Sequence, residues 1–437
     1  MYEKGLMMKE IVQKVKGTRD FYPEDMILHH WLGEQIRAVS ELFGYQAYEG
    51  PYLEKLELYA AKSGEELVKE QSYVFTDRGG GEICLRPELT PTLARMVAQK
   101  GQALTFPLRL WSFGPFWRYE QPQKGRSREF FQWNIDMIGA NGAQSDAELI
   151  AVCATFFQRL GLTEAQVRIH VNDRRLMDRK LAEIGVPEDE KALIYRLIDR
   201  RDKMREGEWK SFAAESGVGA ETVAGLTTIL NDGELWRESE ELTAVFELLE
   251  AMGLAAYLEF DAKIIRGLLY YTGMVFEAKD VDGGRSILGG GRYENLVGDV
   301  GGDPLPGVGF AMGDVMIKAV LEKLGILPAL DAQPAKVVVT VFDAASLGVS
   351  AALAMRLRGA GIPTILYPEA AKLNKQLKYA DRIGATAVII CGPDELANGM
   401  ATVKNLAARS QRTVSIDALA GEVREMVKIR ISGVGVS

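Results

Sequence analysis

The stretch from Trp111 to Gly139, WSFGPFWRYEQPQKGRSREFFQWNIDMIG, constrains the fold most, because it has the pattern of two strands joined by a polar turn. Successive side chains on a strand point to opposite faces. This spacing puts Arg118 and Glu120 on one face of the first strand, and Gln132 and Asp136 on one face of the second. We therefore predict an antiparallel hairpin with one apolar face and one face that binds a polar ligand.

The predicted turn of this hairpin is rich in basic residues. Lys124, Arg126 and Arg128 lie within five residues of one another. Such clusters bind polyanions, for example a triphosphate or a nucleic-acid backbone, whereas many charged runs only contact water. The polar residues inside the flanking strands favour binding, because a solvated turn does not need them.

Composition narrows the class of protein. The 437 residues have room for two or three domains of about 150 residues each. No run approaches the ~20 apolar residues of a membrane span, and the N-terminus lacks the apolar segment of a signal peptide, so we expect a cytoplasmic protein that binds no membrane. The 3 cysteines show no paired spacing, which argues against a disulfide framework and a thiolate metal site. With only 3 histidines, a histidine-rich zinc site is also disfavoured, and we expect no metal held by the protein alone. The net charge of −8 gives no global attraction to nucleic acid.

The chain divides into two regions of different pattern. Residues 1–333 contain neighbouring strands with occasional helices, which is typical of an antiparallel α+β sheet. Within this region, residues from about 174 to 253 are charged and poor in strand formers, and we predict an inserted helical module there. Residues 334–437 alternate strands and helices and form a separate α/β domain.

Two local predictions concern the region before residue 333. The run KIIRGLLYYTGMVFEAKD, residues 263–280, has the composition of a strand. Gly289–Gly291 is predicted to allow a tight turn and close strand packing, in preference to a phosphate-binding loop.

The common nucleotide-binding motifs are missing from the sequence. It has neither a Gly-x4-Gly-Lys-Ser/Thr loop nor a strand-linked GxGxxG run. A bound nucleotide would therefore have to be held by arginines and backbone groups.

Several motifs resemble those of a known family. The hairpin resembles motif 2 of the class II aminoacyl-tRNA synthetases, and RYEQPQKGRSREFFQ is close to the form found in histidyl-tRNA synthetases. KGTRDFYP resembles the N-terminus of that family, GYQAYEGPYLE its dimer-forming motif 1, and LRPELT the segment that holds the substrate amino group. IIRGLLYYTGMVFE and GGGRYENLV resemble two histidine-specific motifs. The region after residue 334 resembles an anticodon-binding domain, so the resemblance covers nearly the whole chain.

This resemblance implies a reaction and its participants. The family activates L-histidine with ATP, which carries Mg²⁺, to form histidyl-adenylate, and transfers the histidyl group to the terminal ribose of tRNA-His. Arg118 would grip the α-phosphate, and Arg266 would stabilise charge during the attack on it. The residues implied for ATP are Arg118, Lys124, Arg126, Arg128 and Arg266. The motif 1 resemblance implies a homodimer.

The same resemblance assigns a histidine pocket. Glu88, Thr90 and Gln132 would hold the α-amino group, and Asp136 and Tyr271 would read the imidazole. A carboxylate suits this task because it accepts a hydrogen bond from a ring N–H. The full set implied for histidine is Glu88, Leu89, Thr90, Gln132, Asp136, Tyr270, Tyr271 and Tyr293.

Contacts with tRNA are implied at two places. Gln121 and Gln123 lie in the motif 2 loop, which reads the acceptor end in family members. Lys372, Lys375 and Lys378 lie on a predicted helix of the C-terminal domain, where they either contact tRNA or form a solvated face.

Four positions, in three motifs, depart from the family pattern. Motif 3 usually has Glu-Arg at the start of a helix, but this chain has Val315 and Met316 there. Methionine cannot offset phosphate charge, so another arginine or lysine must supply that contact or ATP binding is impaired. Gln121 replaces the usual arginine of the motif 2 loop, and Leu269 replaces the aspartate of RGLDYYTG.

These departures leave two alternatives. One is a catalytically weak paralogue that binds histidine or a nucleotide as a regulatory subunit. Such subunits typically lack the anticodon-binding domain, which this chain has. The other is a synthetase for proline, threonine or glycine, which does not fit RGLLYYTG or Asp136.

Overall fold

A computed structural model of the chain describes residues 11–60, 71–121, 127–265, 271–282 and 286–427. The chain divides into two compact units, one comprising Met1–Asp20 with His29–Pro328 and the other Phe21–Leu28 with Ala329–Ser437. Each unit has its own sheet and its own hydrophobic core. No helix among the described residues is both long and apolar enough to cross a membrane.

A large sheet lies at the centre of the first unit. Its described strands are β1 (Gln46–Ala47), β5 (Leu108–Trp117), β6 (Glu129–Ile138), β7 (Val167–Asp173), β8 (Leu258–Phe260), β9 (Met274–Asp280), β10 (Leu288–Tyr293) and β11 (Gly307–Gly313). They are ordered β1-β5-β6-β11-β10-β9-β7-β8. The interior pairs are antiparallel, and the two edge pairs, β1 with β5 and β7 with β8, are parallel. The predicted α+β class is confirmed, but the sheet is not purely antiparallel.

A smaller antiparallel sheet contains β2 (Leu53–Lys55), β3 (Tyr73–Thr76) and β4 (Glu82–Leu85), in the order β2-β4-β3. The turn between β3 and β4 is closed by Asp77, whose Oδ1 accepts the N–H groups of Gly79 and Gly81 at 2.8 Å each. Gly80 has a φ of 86°, which glycine adopts at little steric cost. This turn chemistry fixes the hairpin that leads into the LRPELT segment.

The described helices of residues 11–328 contribute to several apolar clusters. They are α1 (Pro23–Leu42), α2 (Glu57–Ala60), α3 (Thr90–Lys100), α4 (Ala143–Arg159), α5 (Arg174–Glu183), α6 (Lys191–Asp199), α7 (Glu206–Glu215), α8 (Ala220–Asn231), α9 (Glu240–Ala251), α10 (Leu296–Asp299) and α11 (Asp314–Lys323). One core cluster contains Trp133 of β6, Phe156 of α4, and Leu197 and Leu249 of the helical segment. The helices from Arg174 to Ala251 therefore share a core with the sheet.

The second unit contains a five-stranded sheet in the order β13-β12-β14-β15-β16. The strands are β12 (Val337–Val339), β13 (Thr364–Leu366), β14 (Ala387–Ile390), β15 (Met400–Asn405) and β16 (Ser410–Ser415), and the helices are α12 (Leu347–Gly359), α13 (Leu373–Arg382), α14 (Pro393–Ala397) and α15 (Leu419–Val427). The first three strands in that order are parallel, and the last two pair antiparallel. Both faces of the parallel part are covered by apolar clusters.

Within the strand predicted over residues 263–280, β9 covers Met274–Asp280, and the described residues 263–265 and 271–273 belong to no strand, so the prediction is wrong there. Residues 266–270 lie outside the described ranges. Asp261 causes the difference. Its Oδ1 accepts the N–H of Lys263 at 3.0 Å, and its carbonyl accepts the N–H of Ile264 at 3.0 Å, which closes a turn. Tyr271 lies before the strand and not within it.

The tight turn predicted at Gly289–Gly291 is also wrong, because these glycines lie in the middle of β10. The close strand packing predicted with it is confirmed. A Cβ on Gly290 would lie 2.1 Å from the carbonyl oxygen of Gly309, and one on Gly291 would lie 2.8 Å from that of Met274. Only glycine permits these main-chain distances.

Gly290→Ala should therefore lower the free energy of unfolding by about 3 kcal/mol, because the new Cβ would collide with a main-chain oxygen of the neighbouring strand. Urea denaturation measures this change. The control is Gly207→Ala in α7, where the Cβ would meet nothing within 4 Å and the change should stay below about 1 kcal/mol. Equal effects of the two substitutions would contradict the packing argument.

Candidate active site

A cavity of about 210 Å³ opens on one face of the main sheet, where β6, β10 and β11 meet the first turn of α11. Its charged lining residues, within the part of the chain that is described, are Arg118 and Glu120. The other lining residues are Ser127, Phe130, Gln132, Ser286, Ile287, Leu288, Gly289, Ala311, Gly313, Val315 and Met316. The cavity is large enough for a small polar molecule.

The hairpin predicted from the sequence forms one wall of this cavity. β5 and β6 pair antiparallel from Leu108 with Ile138 to Trp117 with Glu129, which confirms the hairpin. The alternation predicted as far as Glu120 is wrong beyond Trp117, because the N–H of Tyr119 turns to the carbonyl of Gln71 at 2.7 Å. Arg118 and Glu120 nevertheless line the same cavity.

Arg118 is held at the edge of the cavity by two contacts. Its Nε donates to the carbonyl oxygen of Pro87 at 2.9 Å, and its guanidinium carbon lies 5.4 Å from the centroid of the Phe130 ring. The Nε contact leaves the two terminal nitrogens of the guanidinium to bind an anion in the cavity.

The first turn of α11 forms the opposite wall. Val315 and Met316 line the cavity with apolar side chains. The preceding residue, Asp314, accepts hydrogen bonds from Arg19 Nη1 at 2.9 Å and Nη2 at 3.2 Å, and from the N–H of Phe131 at 3.0 Å. The cavity lining at α11 is therefore apolar. The carboxylate of Asp314, at the start of this helix, is already paired with Arg19.

Asp136 and Tyr293 form a buried pair. Their exposed fractions are 2% and 1%, and Tyr293 Oη donates to Asp136 Oδ1 at 3.0 Å. Asp136 Oδ2 is buried without a hydrogen-bond partner among the described residues. Burial raises the pKa of Asp136 to about 7, although the hydrogen bond from Tyr293 opposes this shift. The open oxygen is suited to accept an N–H from a ligand.

Glycines on β11 make room for this pair. Gly309 pairs with Asp136 across β6, and a Cβ there would lie 2.2 Å from Asp136 Oδ1. Gly307 pairs with Tyr293 across β10, and its Cβ would lie 2.4 Å from the Tyr293 ring. Gly307 and Gly309 of this strand therefore leave the space that the polar pair occupies.

Further buried polar atoms lie near Asp136. Gln132 Oε1, Asn134 Nδ2 and Tyr48 Oη are buried with no hydrogen-bond partner among the described residues. Burial raises the pKa of Tyr48, and Asp136 is the charged group that contributes most to this rise. Tyr48 was missed from the sequence, although it lies in the motif 1 run GYQAYEGPYLE.

The LRPELT segment is fixed by a fully buried arginine that sequence reasoning also missed. Arg86 Nε donates to Pro115 O at 3.0 Å, and Nη1 donates to Gly50 O at 3.2 Å and to Glu49. Its guanidinium also lies 4.4 Å from the centroid of the Phe116 ring. Arg86 therefore joins this segment to the motif 1 region and to β5.

The predicted amino-group residues follow Arg86 directly. Glu88 is buried, and its carbonyl oxygen accepts from Tyr59 Oη at 3.3 Å. Leu89 is fully buried, and Thr90 is half-buried as the first residue of α3. Tyr59 also lies 3.1 Å from Thr92 Oγ1, so the segment is held from both sides.

Tyr271 lies in the same apolar cluster as Tyr293. A Cβ on Gly291 would lie 2.9 Å from its ring, so the glycine run of β10 also makes room for Tyr271. The carbonyl of Tyr271 accepts from Arg174 Nη1 at 3.0 Å. The described structure thus brings Tyr271, Tyr293 and Asp136 into one region of the sheet.

The remaining predicted residues are less directly placed. Arg128 lies over the Tyr119 ring, with its guanidinium carbon 3.9 Å from the ring centroid, and its Nε donates to Glu120 O at 3.1 Å. Gln121 is exposed. The residues that lie outside the described ranges are Gln123, Lys124, Arg126, Arg266, Leu269 and Tyr270.

In the second unit, Lys372 immediately precedes α13, and Lys375 and Lys378 lie on it. All three are exposed. Lys375 Nζ lies 2.7 Å from Glu369 Oε1, so one of the three already has an acidic neighbour.

Within the described ranges, no group of three or more His, Cys, Asp or Glu side chains could hold a metal ion. Cys84, Cys153 and Cys391 are free and buried.

Comparison with known proteins gives the same family for both units. A family model described as histidyl-tRNA synthetase matches residues 17–316, and one described as an anticodon binding domain matches residues 336–426. The chloroplastic/mitochondrial histidine–tRNA ligase of Arabidopsis thaliana is 37% identical over 428 residues, covering 95% of this chain and 88% of the relative. Histidine–tRNA ligase of Pyrococcus abyssi is 37% identical over 437 residues, covering 95% and 100%.

The fold agrees with these relatives. A crystal structure of histidyl-tRNA synthetase from Nostoc sp. PCC 7120 superposes with a TM-score of 0.77 at 26% identity, covering 95% of this chain and 100% of that chain. The resemblance found in the sequence motifs is thus confirmed over nearly the full length. The chain belongs to the histidyl-tRNA synthetase family.

Proposed function

We propose that this protein activates L-histidine with ATP and transfers the histidyl group to the 3′-terminal ribose of tRNA-His. The observation that carries the proposal is the buried Asp136 carboxylate, which has one oxygen bound to Tyr293 and the other open. In a chain of this family, that open oxygen accepts the ring N–H of the substrate imidazole. Tyr271 packs beside the pair and completes the imidazole site.

The substrate α-amino group is assigned to Glu88, Thr90 and Gln132. Glu88 and Gln132 are buried, and the Arg86 anchor holds the segment that carries Glu88 and Thr90. A carboxylate and an amide oxygen together suit an ammonium group, which has three donors and no acceptor.

ATP, with the Mg²⁺ that it carries as a substrate, is assigned to the cavity beside Gln132. Arg118 binds the α-phosphate, and Met316 and Val315 offer an apolar surface for the base. Without a motif 3 arginine, the remaining phosphate charge falls to the other predicted basic residues, which are Lys124, Arg126, Arg128 and Arg266.

The chemistry follows from these positions. A carboxylate oxygen of histidine attacks the α-phosphorus in line, the bond to the bridging oxygen breaks, and pyrophosphate leaves with the electron pair. Arg118 grips the α-phosphate and Arg266 stabilises the negative charge that develops on its oxygens, and loss of one such contact typically raises the barrier by about 3–4 kcal/mol. In the second step a ribose hydroxyl of the tRNA attacks the histidyl carbonyl, and AMP leaves.

The second unit is assigned to the anticodon of tRNA-His. The match to an anticodon binding domain supports this assignment. The exposed Lys372 and Lys378 flank one helix face that can contact phosphates. The regulatory-subunit alternative has no support from the relatives compared above, which are named as ligases or a synthetase.

We also propose that the protein is a cytoplasmic homodimer. Strand register puts Leu53 and Phe75 on the same face of the small sheet, where they are 51% and 47% exposed. Adjacent exposed apolar side chains on a sheet face commonly mark an interface. A second copy of this chain is the occupant that the motif 1 resemblance implies.

Histidine-dependent ATP–pyrophosphate exchange tests the activity, and absence of exchange by the wild-type protein would overturn it. In Asp136→Asn, the KM for histidine should rise roughly 10- to 100-fold, because a hydrogen bond to a charged group is lost. The KM for ATP should change little. The control is Asp303→Asn, an isosteric change at an exposed aspartate, which should leave both KM values unaltered.

Asp136 should also make stability depend on pH. Burial raises its pKa to about 7 in the folded protein, against ~4 in the unfolded chain. Between these values the folded, ligand-free protein binds more protons, so this group's contribution to the free energy of unfolding decreases as pH rises. The decrease from pH 4 to pH 7 should be at most about 4 kcal/mol. Asp136→Asn should lack it, and a difference between the two proteins that does not vary with pH would contradict the expectation.

The dimer is tested by light scattering on the purified protein. Phe75→Glu should shift the mass from dimer to monomer at micromolar concentration, because it places a charge within the apolar face. Met252→Glu changes an apolar residue of 48% exposure in the helical segment and should leave the mass unaltered. A wild-type monomer, or a dimer that survives Phe75→Glu, would contradict this interface.

A further inference from the structure

The first residue of the helical segment contacts the proposed imidazole site through the main chain. Arg174, which begins α5, donates from Nη1 to the carbonyl oxygen of Tyr271 at 3.0 Å. Its own N–H donates to the carbonyl of Gly273 at 3.1 Å. Arg174 thus binds both ends of the three-residue run that leads into β9.

The other side of this run is bound by β10. The N–H of Thr272 donates to the carbonyl of Arg292 at 2.8 Å. Arg292 is itself fixed, because it is 2% exposed and pairs with Asp146, with Nη2 and Oδ1 2.7 Å apart. Tyr271 is therefore positioned between a fixed strand and Arg174.

Neighbouring contacts tie this junction to the helices. Arg175 bonds Glu241 of α9 at 3.1 Å and Glu294 of the GGGRYENLV run at 2.9 Å. Asp173 accepts the N–H of Arg175 at 3.0 Å and the hydroxyl of Ser239 at 2.9 Å. Ser239 is the N-cap residue of α9, so the start of that helix is linked to the same junction.

Arg174 also contacts the helical segment directly. Its guanidinium carbon lies 5.2 Å from the centroid of the Tyr195 ring on α6. The helices that carry these contacts share a core with the sheet, so their position is set by packing and not by a flexible linker.

We propose that Arg174 is a positioning residue for histidine recognition, through which the helical segment holds the main chain at Tyr271 in the geometry that receives the imidazole. This inference rests on the proposed function. It assigns the helices from Arg174 to Ala251 a role in the amino acid site.

The mechanism acts on binding and not on the reacting atoms. The Tyr271 ring packs against Gly291, where little space is left for a shifted ring. Without the bond from Arg174, the main chain at Tyr271 would be held less firmly, and even a small displacement of the ring would misplace it relative to Asp136. The effect should therefore fall on the affinity for histidine, and much less on ATP.

The test is histidine-dependent pyrophosphate exchange by the full-length protein with Arg174→Met and Arg174→Lys. Arg174→Met retains an unbranched side chain but has no donor, and the KM for histidine should rise roughly 10-fold or more. Arg174→Lys retains one cationic donor and should give an intermediate KM. The KM for ATP should stay within about 2-fold in both variants.

The matched control is Arg179→Met on the same helix. Arg179 bonds the carbonyl of Glu238 at 2.7 Å and lies near Glu183, so its contacts stay within the helical segment. This variant should leave the KM for histidine unchanged. Thermal unfolding of each variant separates a loss of stability, which lowers the active fraction and kcat, from a change of KM.

The outcomes are distinct. Wild-type exchange with an unchanged KM for histidine in a folded Arg174→Met protein would overturn the inference and leave the proposed function standing. If the Arg174→Met protein does not fold, the Arg174→Lys protein provides the test. A wild-type KM for histidine in that variant would also overturn the inference. Absence of exchange by the wild-type protein would instead be a failure of the proposed function.

Discussion

The pairing of Asp136 with Gly309 on neighbouring strands is the contact on which the candidate site depends. A side chain at Gly309 would occupy the space of the carboxylate, and one at Gly307 would occupy that of the Tyr293 ring. A register shift of one residue would bring Val308 or Phe310 opposite Asp136. The position of the polar pair is therefore set by strand register and two glycines within a sheet, which is more rigid than a loop.

Burial gives this pair its chemical character. A carboxylate removed from water is destabilised unless its oxygens are bonded, and Tyr293 bonds one of the two. The other oxygen stays open to a ligand, and the raised pKa of Asp136 reflects that incomplete compensation. A ligand with an N–H supplies the missing bond, whereas one without it leaves the oxygen buried and unpaired. In the proposed function, the protein discriminates between amino acids by that difference.

Local patterns in the sequence predicted the hairpin correctly, because a period of two residues specifies a strand without knowledge of its neighbours. The family motifs are also short local runs of sequence, so they predicted the family without knowledge of the fold. Close packing at the β10 glycines was predicted, but which main-chain atoms approach them was not, since that depends on which strand lies beside them. Tyr271 and Arg174 are 97 residues apart, and no local pattern joins them. The strand expected from Lys263 failed because an aspartate two residues earlier closes a turn.

The departure from the motif 3 pattern gives the cavity two different ends. Asp314 occupies the start of α11, but Arg19, 295 residues away, neutralises it from the N-terminal segment. The next two residues, Val315 and Met316, are apolar and line the cavity. The positive charge lies across the cavity on Arg118. A nucleotide also has two different ends, a flat apolar base and a charged phosphate chain. In the proposed function, ATP therefore binds with its base against α11 and its α-phosphate at Arg118.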